Sequence, residues 1–337
     1  PERGGGPGGA AGAYSAAMPP RPPLPAQAGE RSVRRIGLGL AALGRPGYLN
    51  LGHGADLGAD RSVETLRARS FEVLDAAYAR GVRYLDAARS YGRAEEFLGA
   101  WLRDRDPPDV VVGSKWGYVY TAGWEVDADP PEVKHHDVET LRRQLAETRE
   151  HLGERLALYQ IHSATPDSGV LEDDDVLAEL AALRRSGVAI GLTTSGTSQA
   201  QTLERALELD LFDTAQVTWN LHELAAGAAL ERAHAAGLGV IVKEALANGR
   251  LTPRAAPPAL TAVAQRVGAT ADAVALAAVL AQPFADVVLS GAATVDTLAS
   301  NLAAAGVELD AASLAELGAL AEPPDRYWTA RGGLAWN

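Results

Sequence analysis

"GLGLAALG", residues 37–44, is the stretch that separates two architectures. A dinucleotide-binding doubly wound sheet wants G-x-G-x-x-G at the turn after its first strand, where glycine lets the backbone approach a pyrophosphate. Here the glycines fall at 37, 39 and 44, so the third comes two residues too late. They read instead as strand and loop residues that permit a close ligand approach.

From Arg34 onward, short β-branched or apolar runs alternate with longer segments of helical period, the pattern of successive βα units. The runs are "RRIGLGLAAL", "VRYLDAA", "DVVVGSKW", "RLALYQIHS", "VAIGLTTSG", "FDTAQVTWN", "LGVIVKEA" and "ADVVLSGAA". Between them lie amphipathic stretches such as "DVETLRRQLAETREHLG", with Leu141, Leu145, Thr148 and Leu152 on one face and Asp137 placed as N-cap. Glycines such as Gly81, Gly153, Gly187 and Gly237 close these segments. Eight strand–helix units without a break in composition predict a single-domain α/β protein, a (β/α)8 TIM barrel spanning residues 34–337, with its C-terminal tail over the barrel mouth.

The Gly-, Pro- and Ala-rich residues 1–33 are expected to be a disordered extension; residues 1–17 precede the single methionine, Met18, and are compatible with an upstream or vector-derived leader. That extension has no apolar core of a signal peptide, and no later run is long enough to span a bilayer. A formal charge of −12 disfavours nucleic acid or an anionic membrane as partner, since both would repel the chain. Without cysteine, thiolate chemistry and disulfides are excluded, and a cytoplasmic location is the default expectation. Oligomeric state has no signature in the sequence.

In a barrel, the polar residues that carry chemistry stand at the carboxyl ends of the strands. Asp86 ends the second run and Tyr91 follows in its loop, Lys115 ends the third, and His162 ends the fourth. Each has an ordinary explanation alone: a turn cap, a loop anchor, a solvent-seeking amine, a core imidazole. Together they form one rim. A lysine after a buried run needs an anion, which Asp86 supplies. A charged lysine beside a tyrosine is expected to lower the phenol pKa toward neutrality, making Tyr91 a general acid in one direction and a base in the other. Nothing in the chain supplies a hydride or an electrophile, so a cofactor is implied.

On the motifs "YLDAARSYG…EEFLG", "GSKWG", "LALYQIHS", "AIGLTTS", "QVTWN" and "LSGAATVDTLASNL", in that order, the sequence resembles the aldo-keto reductases over residues 34–301. The resemblance implies that Tyr91 is the general acid/base, Lys115 tunes it, Asp86 holds Lys115 and His162 orients a carbonyl. It implies NADP(H) as the preferred cofactor, with NAD(H) as the alternative, because the arginine that often clamps the 2′-phosphate is replaced by Thr297. Cofactor contacts carried over are Gln216; Thr193 and Thr194 in place of a Ser-Asn pair; Lys243 where an aromatic residue often stands; Leu246 and Gly249 in the loop after it; and Gly291, Ala292, Thr297 and Asn301 around the last helix. For Lys243, pairing with Glu244 and contact with the cofactor are both open.

A small-molecule carbonyl or alcohol is the expected substrate. Tyr48, Trp116, Tyr118 and Trp124 are candidates for its apolar wall, or for packing their loops onto the barrel. Tyr327, Trp328 and Trp336 are candidates for closing the mouth. The adjacent His135 and His136 lack the spacing of a helical metal site, and no metal is expected. Two other classes compete with the reductase. One is a Schiff-base, aldolase-like lyase using Lys115 or Lys243; the other is a cofactor-binding regulatory subunit similar to the β subunits of voltage-gated potassium channels.

Overall fold

A computed structural model describes residues 24–30, 32–47, 51, 56, 58–126 and 128–334. Its ten strands are β1 (Ile36–Gly39), β2 (Tyr84–Asp86), β3 (Val111–Trp116), β4 (Tyr118–Tyr120), β5 (Glu132–Lys134), β6 (Leu156–Ala164), β7 (Ala189–Thr194), β8 (Thr214–Thr218), β9 (Gly239–Lys243) and β10 (Val287–Ser290). Eight of them close in the order β1-β10-β9-β8-β7-β6-β3-β2, and every pairing in that ring is parallel. The eight predicted runs are these eight strands, and helices cover the ring's outer face.

The ring closes because each strand is apolar on both sides, inward to the barrel and outward to a helix. Tyr84, Leu158, Ala189, Ile241 and Val287 form a buried floor of their own, separate from the main apolar cluster. Gly37 sits in that floor, where a Cβ would come within 2.9 Å of Leu289 Cδ2 and of Tyr84 Cδ1. Its role in the fingerprint-like stretch is thus to make room for side chains, not for a pyrophosphate.

The predicted extension is partly corrected. Residues 1–23 and 31 lie outside the described residues, but the segment from Leu24 does not hang free. Leu24 packs against the floor, Ala26 is buried, and the Ala28 amide donates to Asp286 Oδ1 at 3.0 Å. Apolar contacts and this hydrogen bond outweigh the Gly/Pro-rich composition there.

The aromatic segment after Lys115, expected as a loop, contains the antiparallel hairpin β4–β5, outside the ring. At the other end of the chain, the helix Pro324–Gly332 packs with Tyr327 buried, its hydroxyl accepting from Asn220 Nδ2 at 2.9 Å. Among the described residues no single helix is long and apolar enough to cross a membrane.

Candidate active site

The carboxyl ends of the strands open into a cavity of about 390 Å3. Asp86, the last residue of β2, is buried beneath it and carries four contacts. Its Oδ2 forms a close ion pair with Lys115 Nζ, while Oδ1 accepts from Gln216 Nε2 at 3.0 Å, Tyr84 Oη at 3.2 Å and Gln160 Nε2 at 3.5 Å. Lys115 Nζ also donates to the Ala87 carbonyl at 2.9 Å and lies 3.5 Å from Tyr91 Oη. A fully buried lysine is thereby fixed, because its desolvation is offset by a carboxylate and a carbonyl at once.

Tyr91 lies on the cavity wall with its ring edge-on to His162, centroids 5.5 Å apart. Tyr118 also packs edge-on against His162 at 4.9 Å, and His162 Nδ1 lies 3.5 Å from Ser90 Oγ. The structure thus brings Asp86, Tyr91, Lys115 and His162 together at one place.

The electrostatics correct one expectation. Burial first, then the charges of Asp86 and Glu132, push the Tyr91 phenol well above its ordinary value, the reverse of the predicted lowering. The reason is local: Lys115 is neutralised by Asp86, so the pair presents no net positive charge to the hydroxyl. His162 is driven well below its ordinary value, by burial and then by Lys115 and Lys243, and stays neutral. A protonated phenol beside a neutral imidazole can give a proton and orient an oxygen by a hydrogen bond.

Of the other expected residues, Gln216, Lys243, Leu246, Gly249, Gly291, Ala292, Thr297 and Asn301 line the same cavity. Thr193 and Thr194 do not. Thr193 Oγ1 accepts from the Ser163 amide at 2.7 Å, and the Thr194 hydroxyl is buried without a partner among the described residues; at this strand end the wall is Ser195. Tyr118 reaches the cavity, whereas Trp116 and Trp124 do not. Trp116 is fully buried against His136, and Trp124 donates to the Arg61 carbonyl at 2.8 Å, tying the hairpin to the barrel. Tyr48 and Trp336 lie outside the described residues. His136 Nε2 meets the His162 carbonyl at 2.9 Å, and its ring is lowered to about 4, by burial first.

Several wall residues carried no signal in the sequence. Arg45 pairs with Glu132 of the hairpin at 3.1 Å and also donates to the Ser90 carbonyl at 3.2 Å. Arg331, from the C-terminal helix, pairs with Glu244. Asn248 and Asn301 each turn a buried side-chain oxygen, without a partner among the described residues, toward a wall that has room for a ligand. Such unmet acceptors fit a bound molecule that brings N–H groups, as the carboxamide and adenine of a nicotinamide dinucleotide do. The helix Val295–Leu302 starts at the same wall, with Thr294 capping Thr297 N at 3.2 Å.

Known proteins resemble this chain over most of its length. The profile described as "Aldo/keto reductase family" matches residues 35–322. Aldo-keto reductase str7 of Strobilurus tenacellus is 27% identical, with 88% of this chain and 93% of that protein covered. D-threo-aldose 1-dehydrogenase of a Pseudomonas species is 26% identical over 54% of this chain and 61% of its own. Among solved structures, an aldo-keto reductase of Pseudomonas aeruginosa is 28% identical with a TM-score of 0.61, covering 81% of this chain and 90% of that one.

Proposed function

The chain belongs to the aldo/keto reductase family, and we propose that it interconverts a small-molecule carbonyl and an alcohol with NADP(H), in preference to NAD(H), using Tyr91 as the proton donor. The observation that carries this reading is the Tyr91 hydroxyl on the cavity wall, 3.5 Å from a lysine locked by Asp86 and edge-on to His162.

The nicotinamide, when bound, supplies or accepts the hydride. Gln216 and Ser195 at one part of the wall, and Asn248, Gly291, Thr297 and Asn301 at another, are the residues that would hold the cofactor. The protein's own part is to place a proton. Tyr91 keeps it at Oη and gives it to the substrate oxygen as negative charge develops there; Lys115 stabilises the phenolate left behind; Asp86 fixes Lys115. His162, neutral and clamped by Tyr118, orients the substrate oxygen.

Tyr91→Phe tests the reading. Turnover of aldehydes, ketones and sugars, followed at the nicotinamide absorbance, should fall by roughly 10²–10⁴-fold. Cofactor binding, read by quenching of tryptophan fluorescence, should persist. Retained turnover would refute the assignment. The name of the aldose dehydrogenase relative makes sugars a first panel to try.

The NADP(H) preference rests on the resemblance. The basic residues of the wall, Arg45, Lys243 and Arg331, are engaged with Glu132, Thr218 and Glu244. Titrating both cofactors decides this point, and equal affinities would remove the preference.

A Schiff-base lyase finds some support in Lys243, whose amine is lowered to about 8, by burial first. Lys115 is unsuited to that role, since its ammonium is enclosed by Asp86 and Ala87. Borohydride trapping with a carbonyl compound, in the absence of nicotinamide, separates the two readings.

A further inference from the structure

Four carboxylates line the cavity, and each has a closer cation than Lys243. Asp86 is paired with Lys115; Glu132 with Arg45 at 3.1 Å; Glu244 with Arg331 at 2.8 Å; and Asp56 with Arg254 at 2.5 Å. Lys243 is the fifth cation. Its Nζ donates to Thr218 Oγ1 at 2.8 Å, but Glu244 Oε1 stands off at 3.9 Å, beyond hydrogen-bond distance. An ammonium has three donors, so Lys243 keeps hydrogens to offer to the cavity. The Lys243–Glu244 pair open in the sequence is present as a long ion pair at 3.9 Å, but Lys243 shares that carboxylate with Arg331, which hydrogen-bonds it at 2.8 Å.

Lys243 ends β9, paired in register with Thr218, and two residues back on β8 stands Gln216, the partner of Asp86. Its charge acts on His162, and it in turn feels Lys115 and Asp86. The surplus cation thus ends the strand beside the one whose Gln216 holds Asp86.

We propose that Lys243 is a specificity-determining residue that receives an anionic substituent, a carboxylate, on the carbonyl substrate. This rests on the carbonyl reductase reading. A half-buried cation that must share its carboxylate with an arginine is costly, and a substrate carboxylate lowers that cost while adding a charge-assisted hydrogen bond. A neutral substrate of the same shape leaves the cost in place.

The groups facing Lys243 are Thr218 on β8, Glu244 beside it, Arg331 on the C-terminal helix, Lys115 on β3, Asp86 on β2 and His162 on β6. Burial, then Arg331 and Lys115, hold the amine near 8 against the opposing pull of Glu244 and Asp86. The KM for a carboxylated substrate should therefore climb as pH rises past that value, and the KM for a neutral one should not.

Succinate semialdehyde and butanal form a matched pair of probes for the NADPH-loaded enzyme. The expected ratio of their kcat/KM values favours the carboxylated aldehyde by about 10–100-fold, the worth of one charge-assisted hydrogen bond. Lys243→Met should bring the ratio near one, and Lys243→Arg should keep most of it. A ratio unaltered by Lys243→Met overturns the proposal. So does a loss confined to cofactor affinity, which would assign the lysine to the cofactor phosphates. If neither aldehyde turns over, it is the reductase reading that fails. Binding of succinate to the NADPH-loaded protein by calorimetry then decides the anion site: binding weakened by Lys243→Met upholds it, and no binding overturns it.

Discussion

Arg331 reaches across 2.8 Å to Glu244 at the rim of the barrel, so a helix at the end of the chain completes the wall of the cavity. Burial raises the Glu244 carboxyl, but Lys243 and Arg331 more than compensate and hold it below its ordinary value. Arg331→Ala removes one partner of a largely buried pair and should destabilise the docked helix by about 1–3 kcal/mol. Limited proteolysis should then cut the C-terminal segment sooner, and the KM of substrates should rise. An unchanged cleavage pattern would mean that Tyr327 and Asn220 hold the helix without the ion pair.

Asp86 is the point on which the site's order depends, with Lys115, Gln216 and Tyr84 all reaching it. Asp86→Asn leaves a buried ammonium without its anion and should cost about 3–5 kcal/mol in chemical denaturation. Activity should fall with it. The double variant Asp86→Asn, Lys115→Met should recover part of that stability without recovering turnover, because it removes the stranded charge but not the need for it.

The raised phenol pKa of Tyr91 has a definite sign. Below that pKa the hydroxyl is protonated, so carbonyl reduction should not lose its proton donor anywhere between pH 6 and pH 9. Alcohol oxidation needs the phenolate, and its kcat should keep rising with pH through that window instead of levelling off near neutrality. A plateau of the oxidation rate near pH 7 would show that bound cofactor reverses the effect of burial.

Gly44, the last glycine of the opening stretch, stands directly under the Tyr91 loop. A Cβ there would come within 2.3 Å of the Tyr91 carbonyl oxygen and 2.7 Å of the Ala94 amide nitrogen, and the Gly44 carbonyl itself accepts from Arg93 N at 2.7 Å. These neighbours are backbone and cannot turn aside. Gly44→Ala should destabilise the protein by about 1–3 kcal/mol, as overpacking does, and should lower kcat by displacing Tyr91. Thermal unfolding and steady-state rates of the same preparation report the two effects separately.

Much of the site was legible because of where its residues fall in the chain. Asp86, Lys115 and His162 each follow an apolar run, and in a parallel barrel the end of such a run has one location. Gln216, in the middle of its strand, came from the family resemblance alone. Thr193 was placed correctly on its strand, but its hydroxyl is spent on the Ser163 amide, a partner 30 residues earlier that no local pattern reveals. Trp116 and Trp124 were open between a substrate wall and loop packing, since aromatic side chains in a loop carry the same composition whether they face a ligand or anchor the loop. Arg45 with Glu132 and Arg331 with Glu244 join positions 87 residues apart in both cases, and charged residues in loops and helices give no periodic signal of such pairing.

By itself the sequence determined the eight-stranded ring and the four residues that meet on its rim, because alternating apolar runs and helical periods dictate the strands, and closure of parallel strands dictates which ends converge. Only the tertiary structure decided the state of those residues. Burial and the neutralisation of Lys115 by Asp86 raise the phenol of Tyr91 instead of lowering it, and Arg331 and Lys243 share the one carboxylate of Glu244. Charge balance depends on distance and on exclusion of water, and both come into being only when the chain has closed.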